Sequence, residues 1–333
     1  MFNLPEDNWN LRLLKSPQPA LSAVRQQAIE YFNKELSNGA LKTEPLHKCP
    51  CGCSDFVHIS SQDRFGLSFS THLCRSCGLL CTNPVLSDAC LPHYYREHYH
   101  TLLCGHKNAK DNFAFRPGNG TKVFSRLPPL KKTPIRVLEV GSGSGLLLQE
   151  FRQAATQQKV IAQCLCTEYS PEMVKACQAR GLDAIEGSIE DVLCLDKQFD
   201  VVILSHVLEH VRDINKFIKC VKKTLRPFGL LYVEVPGLMD LHEKSEYHFD
   251  FLEYMIHCHI YHFNLNSLAY HVGKNGLKFI SGSEIAYGVF MNIPTDATYE
   301  PPLPSSFNHI ELFCYLRFME KNFTKMQGNG LTF

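Results

Sequence analysis

Three groups of residues in this 333-residue chain have the types and spacing to do chemistry. The first is Glu139-Val140-Gly141-Ser142-Gly143-Ser144-Gly145, entered from the β-rich pair Val137-Leu138 and left through Leu146-Leu147-Leu148. It reads as a buried strand, a glycine turn and an apolar helix, in which glycines permit positive φ and the helix amides accept a negative or polar ligand group. A dinucleotide fingerprint is G-x-G-x-x-G; here the third glycine comes one residue early, at Gly145, which disfavours NAD. The second group is Cys49-Pro50-Cys51-Gly52 with Cys74-Arg75-Ser76-Cys77-Gly78. Two turns presenting four thiols fit a tetrahedral structural zinc site with no open position, Cys53 being an alternative to Cys51 as the second ligand. The third is the histidine-rich run from His248 to Phe263, whose imidazoles, among them His259 and His262, could supply a general base.

The elements that must hold these groups follow from periodicity. Beyond Gly145 the chain alternates: helix to about Ala155, strand Val160 to Thr167, helix Pro171 to Arg180, strands Asp183 to Glu186 and Phe199 to Leu204, helix Ile214 to Leu225, strand Leu230 to Val235. Such alternation predicts an α/β fold, a doubly wound and mostly parallel sheet. A helix over Leu265 to Asn275 and strands over Leu277 to Ser281 and Ala286 to Ile293 close it. Ligands of open α/β sheets lie beyond the carboxyl ends of the strands, which singles out Glu168, an acid that can accept two ribose hydroxyls, with Tyr169 beside it. Upstream, residues 1–46 form an N-terminal extension with a helix over Leu21 to Leu36, and residues 47–117 are short strands, cysteines and aromatics. Residues 118–294 make the α/β domain, and 295–333 a C-terminal helix and tail.

The motif Glu139-x-Gly141-x-Gly143-x-Gly145 resembles the first motif of the class I S-adenosylmethionine-dependent methyltransferases, whose sheet has seven strands in a Rossmann-like order. Phe199-Asp200-Val201-Val202-Ile203-Leu204-Ser205-His206-Val207-Leu208-Glu209-His210-Val211 is similar to a signature of the same enzymes. The resemblance implies S-adenosylmethionine as cofactor, held by Glu139, Gly141, Ser142, Gly143 and Gly145. It further implies Glu168 and Tyr169 at the ribose, Ser188 and Ile189 flanking the adenine, and Ser205 and His206 beside the methionine end. The cysteine segment, KCPCGCSDF followed by DRFGLSFSTHLCRSCGLLCTNP and YYREHYHTLL, resembles the zinc-binding module of sugar C-methyltransferases. In those enzymes a Glu-His pair precedes an aromatic-Phe segment; matching on Phe263 to Leu268 puts their histidine on His259 and their glutamate on Cys258, a departure from the pattern. The implied acceptor is a sugar, linked to a nucleotide or a lipid and methylated on oxygen or carbon, with His259 as general base, His262 second, and Tyr95, Glu97 or His98 as contacts.

Composition bounds the alternatives. Lys+Arg 34 against Asp+Glu 33 gives a net charge of +1, and the lysines come in isolated pairs, so nucleic acid is not an expected partner. No apolar run approaches the ~20 residues of a membrane span, and Glu6 and Asp7 occupy what would be a signal peptide. A reducing, cytoplasmic setting accommodates 15 cysteines, several of them in apolar α/β segments. The apolar helix bearing Ile310, Leu312, Phe313, Tyr315, Leu316 and Phe318 offers a surface for a homodimer or for covering the sheet. That helix also supports the competing reading, a non-catalytic module that binds cofactor and a partner protein.

Overall fold

The computed structural model describes residues 21–105, 117–130, 132–239, 241, 244, 247, 250–284, 287–294, 299–304 and 308–328. The chain forms two compact units: Met1–Phe113 with Gly237–Asn264 and Pro304–Phe333, and Ala114–Pro236 with Leu265–Leu303.

Following the chain, the helix Ala23–Asn38 opens the first unit, with Ser22 accepting from the Arg25 amide at its start and Gly39 ending it at φ 79°. Then come β1 (Thr43–Glu44), β2 (Phe56–Ser60), β3 (Ser70–Cys74), β4 (Leu80–Asn83) and β5 (Val85–Leu86). The second unit holds the helix Asn119–Arg126, then β6 (Ile135–Val140), β7 (Ala162–Glu168), β8 (Asp183–Glu186), β9 (Phe199–Ser205) and β10 (Leu225–Glu234). The chain returns to the first unit for β11 (Tyr261–His262), then to the second for β12 (Leu277–Ser283) and β13 (Tyr287–Asn292).

The second unit is the seven-stranded, mostly parallel sheet that the alternation requires, in the order β12-β13-β10-β9-β6-β7-β8, with only β13 antiparallel to its neighbours. Helices Leu146–Gln157, Pro171–Ala179 and Ile214–Thr224 connect the parallel strands, the last two capped by Ser170 and Asp213. Both faces are covered, so β6 and β9 run almost wholly apolar and buried. β6 lies between β7 and β9, and strand order reverses across it. That reversal opens a crevice at the carboxyl end of β6, where the glycine turn sits.

The first unit carries a four-stranded antiparallel sheet, β11-β4-β3-β2, beside a β1-β5 pair. Its core draws on all three chain segments. Phe32 of the first helix packs with Phe69, Tyr94 and Ile256, and Leu312, Phe313 and Leu316 pack with Ile59, Leu73, Phe251 and Tyr254. The division therefore departs from boundaries at 46, 117 and 294. Residues 237–264 leave the α/β sheet because β11 pairs with β4, and the helix Asn308–Gly328 spends its apolar stripe inside the first unit. Leu312 and Leu316 have no exposed surface, so that part of the stripe is spent in the core, while Phe318 is 61% exposed.

Candidate cofactor site and cysteine cluster

The glycine turn is fixed to the end of β7. The amides of Gly141 and Ser142 both donate to the Thr167 carbonyl, at 2.9 and 3.1 Å, and Gly145 donates to the Ser142 carbonyl at 3.0 Å. Gly141, Gly143 and Gly145 have φ of 70°, 53° and 75°. A Cβ on Gly145 would fall 2.8 Å from Leu182 Cδ1 and 2.9 Å from Cys177 Sγ, so close packing demands glycine there. A Cβ on Gly143 would meet nothing within 4 Å, so its face of the turn is open to a ligand.

Glu168, the last residue of β7, holds that open face in place. Its Oε2 accepts from the Gly143 amide at 2.9 Å, and its Oε1 accepts from Tyr169 and Ser170 at 2.8 and 3.2 Å. Two carboxylate oxygens offer about four lone-pair positions, so capacity remains for a ligand hydroxyl. Glu139 is buried, and burial pushes its carboxyl well above the usual range, Cys177 adding to the effect. Its Oε2 has no hydrogen-bond partner in the structure. A buried, unpartnered acceptor two residues before the turn's first glycine is an invitation to a polar ligand group.

The other expected residues divide. Tyr169 is 75% exposed beside Glu168. Ser188 caps the short helix Ile189–Leu193, its amide and hydroxyl both donating to Asp191 Oδ2, while Ile189 is fully buried and serves the core. Ser205 ends β9 opposite Glu234, and His206 follows it at φ 56°, with its amide donating to the Glu234 carbonyl. A non-glycine residue at positive φ marks local strain, and this one lies at the carboxyl edge of the sheet. His206 Nδ1 stands 3.4 Å from Oε1 of the buried Glu209.

One group at this edge escaped the sequence reading. Arg126 donates to the Tyr232 hydroxyl at 2.6 Å and to Glu234 Oε2 at 3.0 Å, and its guanidinium lies 4.0 Å over the Tyr287 ring. The Tyr232 hydroxyl also donates to Glu234, and burial, with Glu234 alongside, pushes that phenol far up. Arg126, the Tyr232-Glu234 pair of β10 and Tyr287 are distant in sequence and share no motif, so only the fold brings them together.

In the first unit, the thiols of Cys49, Cys51, Cys74 and Cys77 lie within 4.8 Å of one another. The Sγ separations are 3.5 Å for Cys49–Cys77 and 3.6 Å for Cys51–Cys74. A tetrahedral ion with Zn–S of about 2.3 Å spaces its sulfurs about 3.8 Å apart, so the set fits zinc with little movement. Cys53 is not among the four thiols that lie within 4.8 Å of one another, and its sulfur accepts from the Asp55 amide at 3.3 Å. Gly78 is required at φ 73°, since a Cβ would fall 2.6 Å from the Asn308 side chain that donates to the Cys77 carbonyl.

The histidine run is part of this unit. His262 lies in β11, buried, with Nε2 3.5 Å from the Thr82 hydroxyl; that hydroxyl donates to the His259 carbonyl at 2.6 Å. His259 is half-buried, and Cys258 is buried. His257 is enclosed, its Nδ1 2.7 Å from Asp63 and its Nε2 2.9 Å from the Tyr94 hydroxyl. Residues 248 and 249 lie outside the described part of the chain.

The strand order, the reversal at β6 and the Glu168-held glycine turn are those of a class I S-adenosylmethionine-dependent methyltransferase domain. The family model described as Methyltransferase domain matches residues 113–281, just over half of the chain, and the chain belongs to that family. Among curated relatives, the ubiquinone biosynthesis O-methyltransferase of Mesorhizobium japonicum is 28% identical over 102 residues, covering 30% of this chain and 40% of the relative. Its counterpart in Xanthomonas oryzae pv. oryzae is 31% identical over 105 residues, covering 29% and 41%. The C-methyltransferase NovU of Streptomyces niveus is 26% identical over 149 residues, covering 43% and 33%. The chain thus spans about 40% of the length of the first two of these relatives. Human N-acetylserotonin methyltransferase in complex with S-adenosylmethionine superimposes with a TM-score of 0.41 at 17% identity, over 53% of this chain and 52% of that one. That likeness is too loose to carry weight. No helix among the described residues is long and apolar enough to cross a membrane.

Proposed function

We propose that this chain transfers the methyl group of S-adenosylmethionine to a hydroxyl or a carbon acid of a sugar carried on a nucleotide or a lipid. The observation that carries the cofactor half of this reading is Glu168, which anchors the open face of Gly143 and keeps acceptor capacity for a ribose hydroxyl. Glu139 offers its unpartnered buried oxygen to a polar N–H of the ligand, and Ser205 and His206 border the methionine end. The bound cofactor supplies an activated methyl on a sulfonium, so the chain's own tasks are to align the acceptor and to take its proton.

The sugar rests on the resemblance of the cysteine segment to the module of sugar C-methyltransferases and on the similarity to NovU, named a C-methyltransferase. Proton removal is assigned to His259, which keeps exposed surface; His262 is buried in β11 and acts, if at all, through its neighbours. Cys49, Cys51, Cys74 and Cys77 hold a structural zinc ion, whose four sulfur ligands leave no position for substrate. The test is methyl transfer from labelled cofactor to a panel of sugar nucleotides, lipid-linked sugars and phenols, by wild type and His259→Ala. Label on a sugar, with His259→Ala reduced at least a hundredfold, is expected. Label only on phenols refutes the sugar; full activity of His259→Ala refutes the base.

A further inference from the structure

A second cluster in the first unit is used by none of this chemistry. Glu35 lies on the helix Ala23–Asn38, His93 on the short helix Leu91–Tyr94, and His98 in the π-helical turn Tyr95–Tyr99 that continues it. His93 Nε2 stands 2.7 Å and His98 Nε2 2.6 Å from the same atom, Oε2 of Glu35. The three donor atoms lie within 4.8 Å of one another.

The backbone is irregular where it makes this possible. On an α-helix, at about 100° per residue, side chains five apart point about 140° away from each other. A π turn takes up one extra residue, and here it swings His98 back onto the face of His93. Such turns are rare and gather at functional sites because they sacrifice regular helix geometry. The His98 ring is also held rigidly. It is wholly buried, stacked against Tyr31 at 4.7 Å between centroids and against Tyr94 at 6.3 Å, with the Phe32 edge at 5.4 Å. His93 retains 32% side-chain exposure, which leaves a way in from solvent.

We propose that Glu35, His93 and His98 form a second metal site, for zinc or a similar divalent transition ion, distinct from the cysteine cluster and clamping the first helix to the π turn. Two imidazoles and a carboxylate are an N/O donor set that suits such ions, with a water completing the coordination. At ligand distances of about 2.0–2.2 Å, tetrahedral donor atoms stand about 3.4 Å apart. The contacts of 2.6 and 2.7 Å must therefore open by less than about 1 Å, which the partly exposed His93 can provide.

The experiment is metal content of the full-length protein by mass spectrometry, with cobalt substitution to separate thiolate-ligated from N/O-ligated ion by the sulfur charge-transfer absorption. Wild type is expected to hold two equivalents, one of them thiolate-ligated. His93→Ala, at the more exposed ligand, should drop to one with the thiolate absorption unchanged, and His93→Cys should restore the second. Unchanged metal content in His93→Ala overturns the proposal, as does a wild-type protein whose every bound cobalt is thiolate-ligated. Should His93→Ala fail to fold, the cobalt spectrum of wild type and the content of His93→Cys still decide it.

Discussion

Removing the Glu168 carboxylate tests the cofactor site most directly, because the same side chain has a small structural duty and a large binding one. In Glu168→Ala three amides, of Gly143, Tyr169 and Ser170, lose their acceptor. All three residues keep some exposure, so water replaces the carboxylate and the domain is destabilised by only about 1 kcal/mol. The ligand loses more. With three of its about four lone-pair positions taken by amides, the carboxylate accepts one ribose hydroxyl, which contributes about 1.5–3 kcal/mol, or about 10 to 10² in Kd. Calorimetric titration with S-adenosylhomocysteine reads the affinity, and thermal unfolding without ligand reads the fold. An analogue lacking both ribose hydroxyls completes a double-mutant cycle: wild type should lose most of its affinity for it, and the variant should hardly distinguish the two ligands. A variant that binds within about threefold of wild type while folded, or that still discriminates fully between ligand and analogue, refutes this role for Glu168.

Further outcomes follow from other charged and thiol groups. Burial raises the Glu139 carboxyl, so the folded state loses stability as pH rises above the ordinary value of about 4.3; Glu139→Gln should therefore melt higher than wild type without ligand, increasingly so toward neutral pH, yet bind cofactor more weakly. A variant melting lower at neutral pH contradicts that account. Asp200 is partly buried, which alone would raise its carboxyl, but the Arg136 amide at 2.7 Å, Lys132 at 3.2 Å and Arg226 at 2.9 Å hold it below the usual range. Its contribution is present above about pH 3.9 and lost as pH falls through the lowered value, so Asp200→Asn should cost about 1 kcal/mol in neutral denaturant titrations and nothing in strong acid. Cys51→Ser should lose the thiolate-bound metal and Cys53→Ser should keep it; metal analysis giving the reverse would place Cys53 in the cluster. Leu312→Ala, opening a cavity in the first unit, should cost about 2–5 kcal/mol by denaturant titration, whereas Phe318→Ala on the same helix, 61% exposed, should cost less than about 1.

What the sequence made legible is what local physics specifies. β6, the turn and the helix from Leu146 are contiguous, so a buried apolar run, positive-φ glycines and a helical face are written side by side. The parallel strands of the second unit read as apolar runs because both of their faces are covered. The two cysteine turns carry their own spacing, and what spacing could not choose, Cys51 over Cys53, depended on which thiol the folded turn brings within 4.8 Å of all the others.

The first unit shows why the remainder was hidden. β11 is two residues long, too short for any period, and its partner β4 lies some 180 residues earlier. Read along the chain, the histidine run follows β10 and invites assignment to the α/β sheet. Pairing reverses the assignment: once Tyr261 and His262 complete an antiparallel edge, His262 is buried, His257 is tied to Asp63 and Tyr94, and His259 alone of the three keeps exposed surface. The same long-range closure recruits the last helix, whose apolar stripe is a core face without a nearby partner in sequence. A histidine-rich segment is thus divided by topology rather than by composition. Residues that chemistry alone would treat as equivalent bases are sorted into structural and available ones by a single two-residue strand.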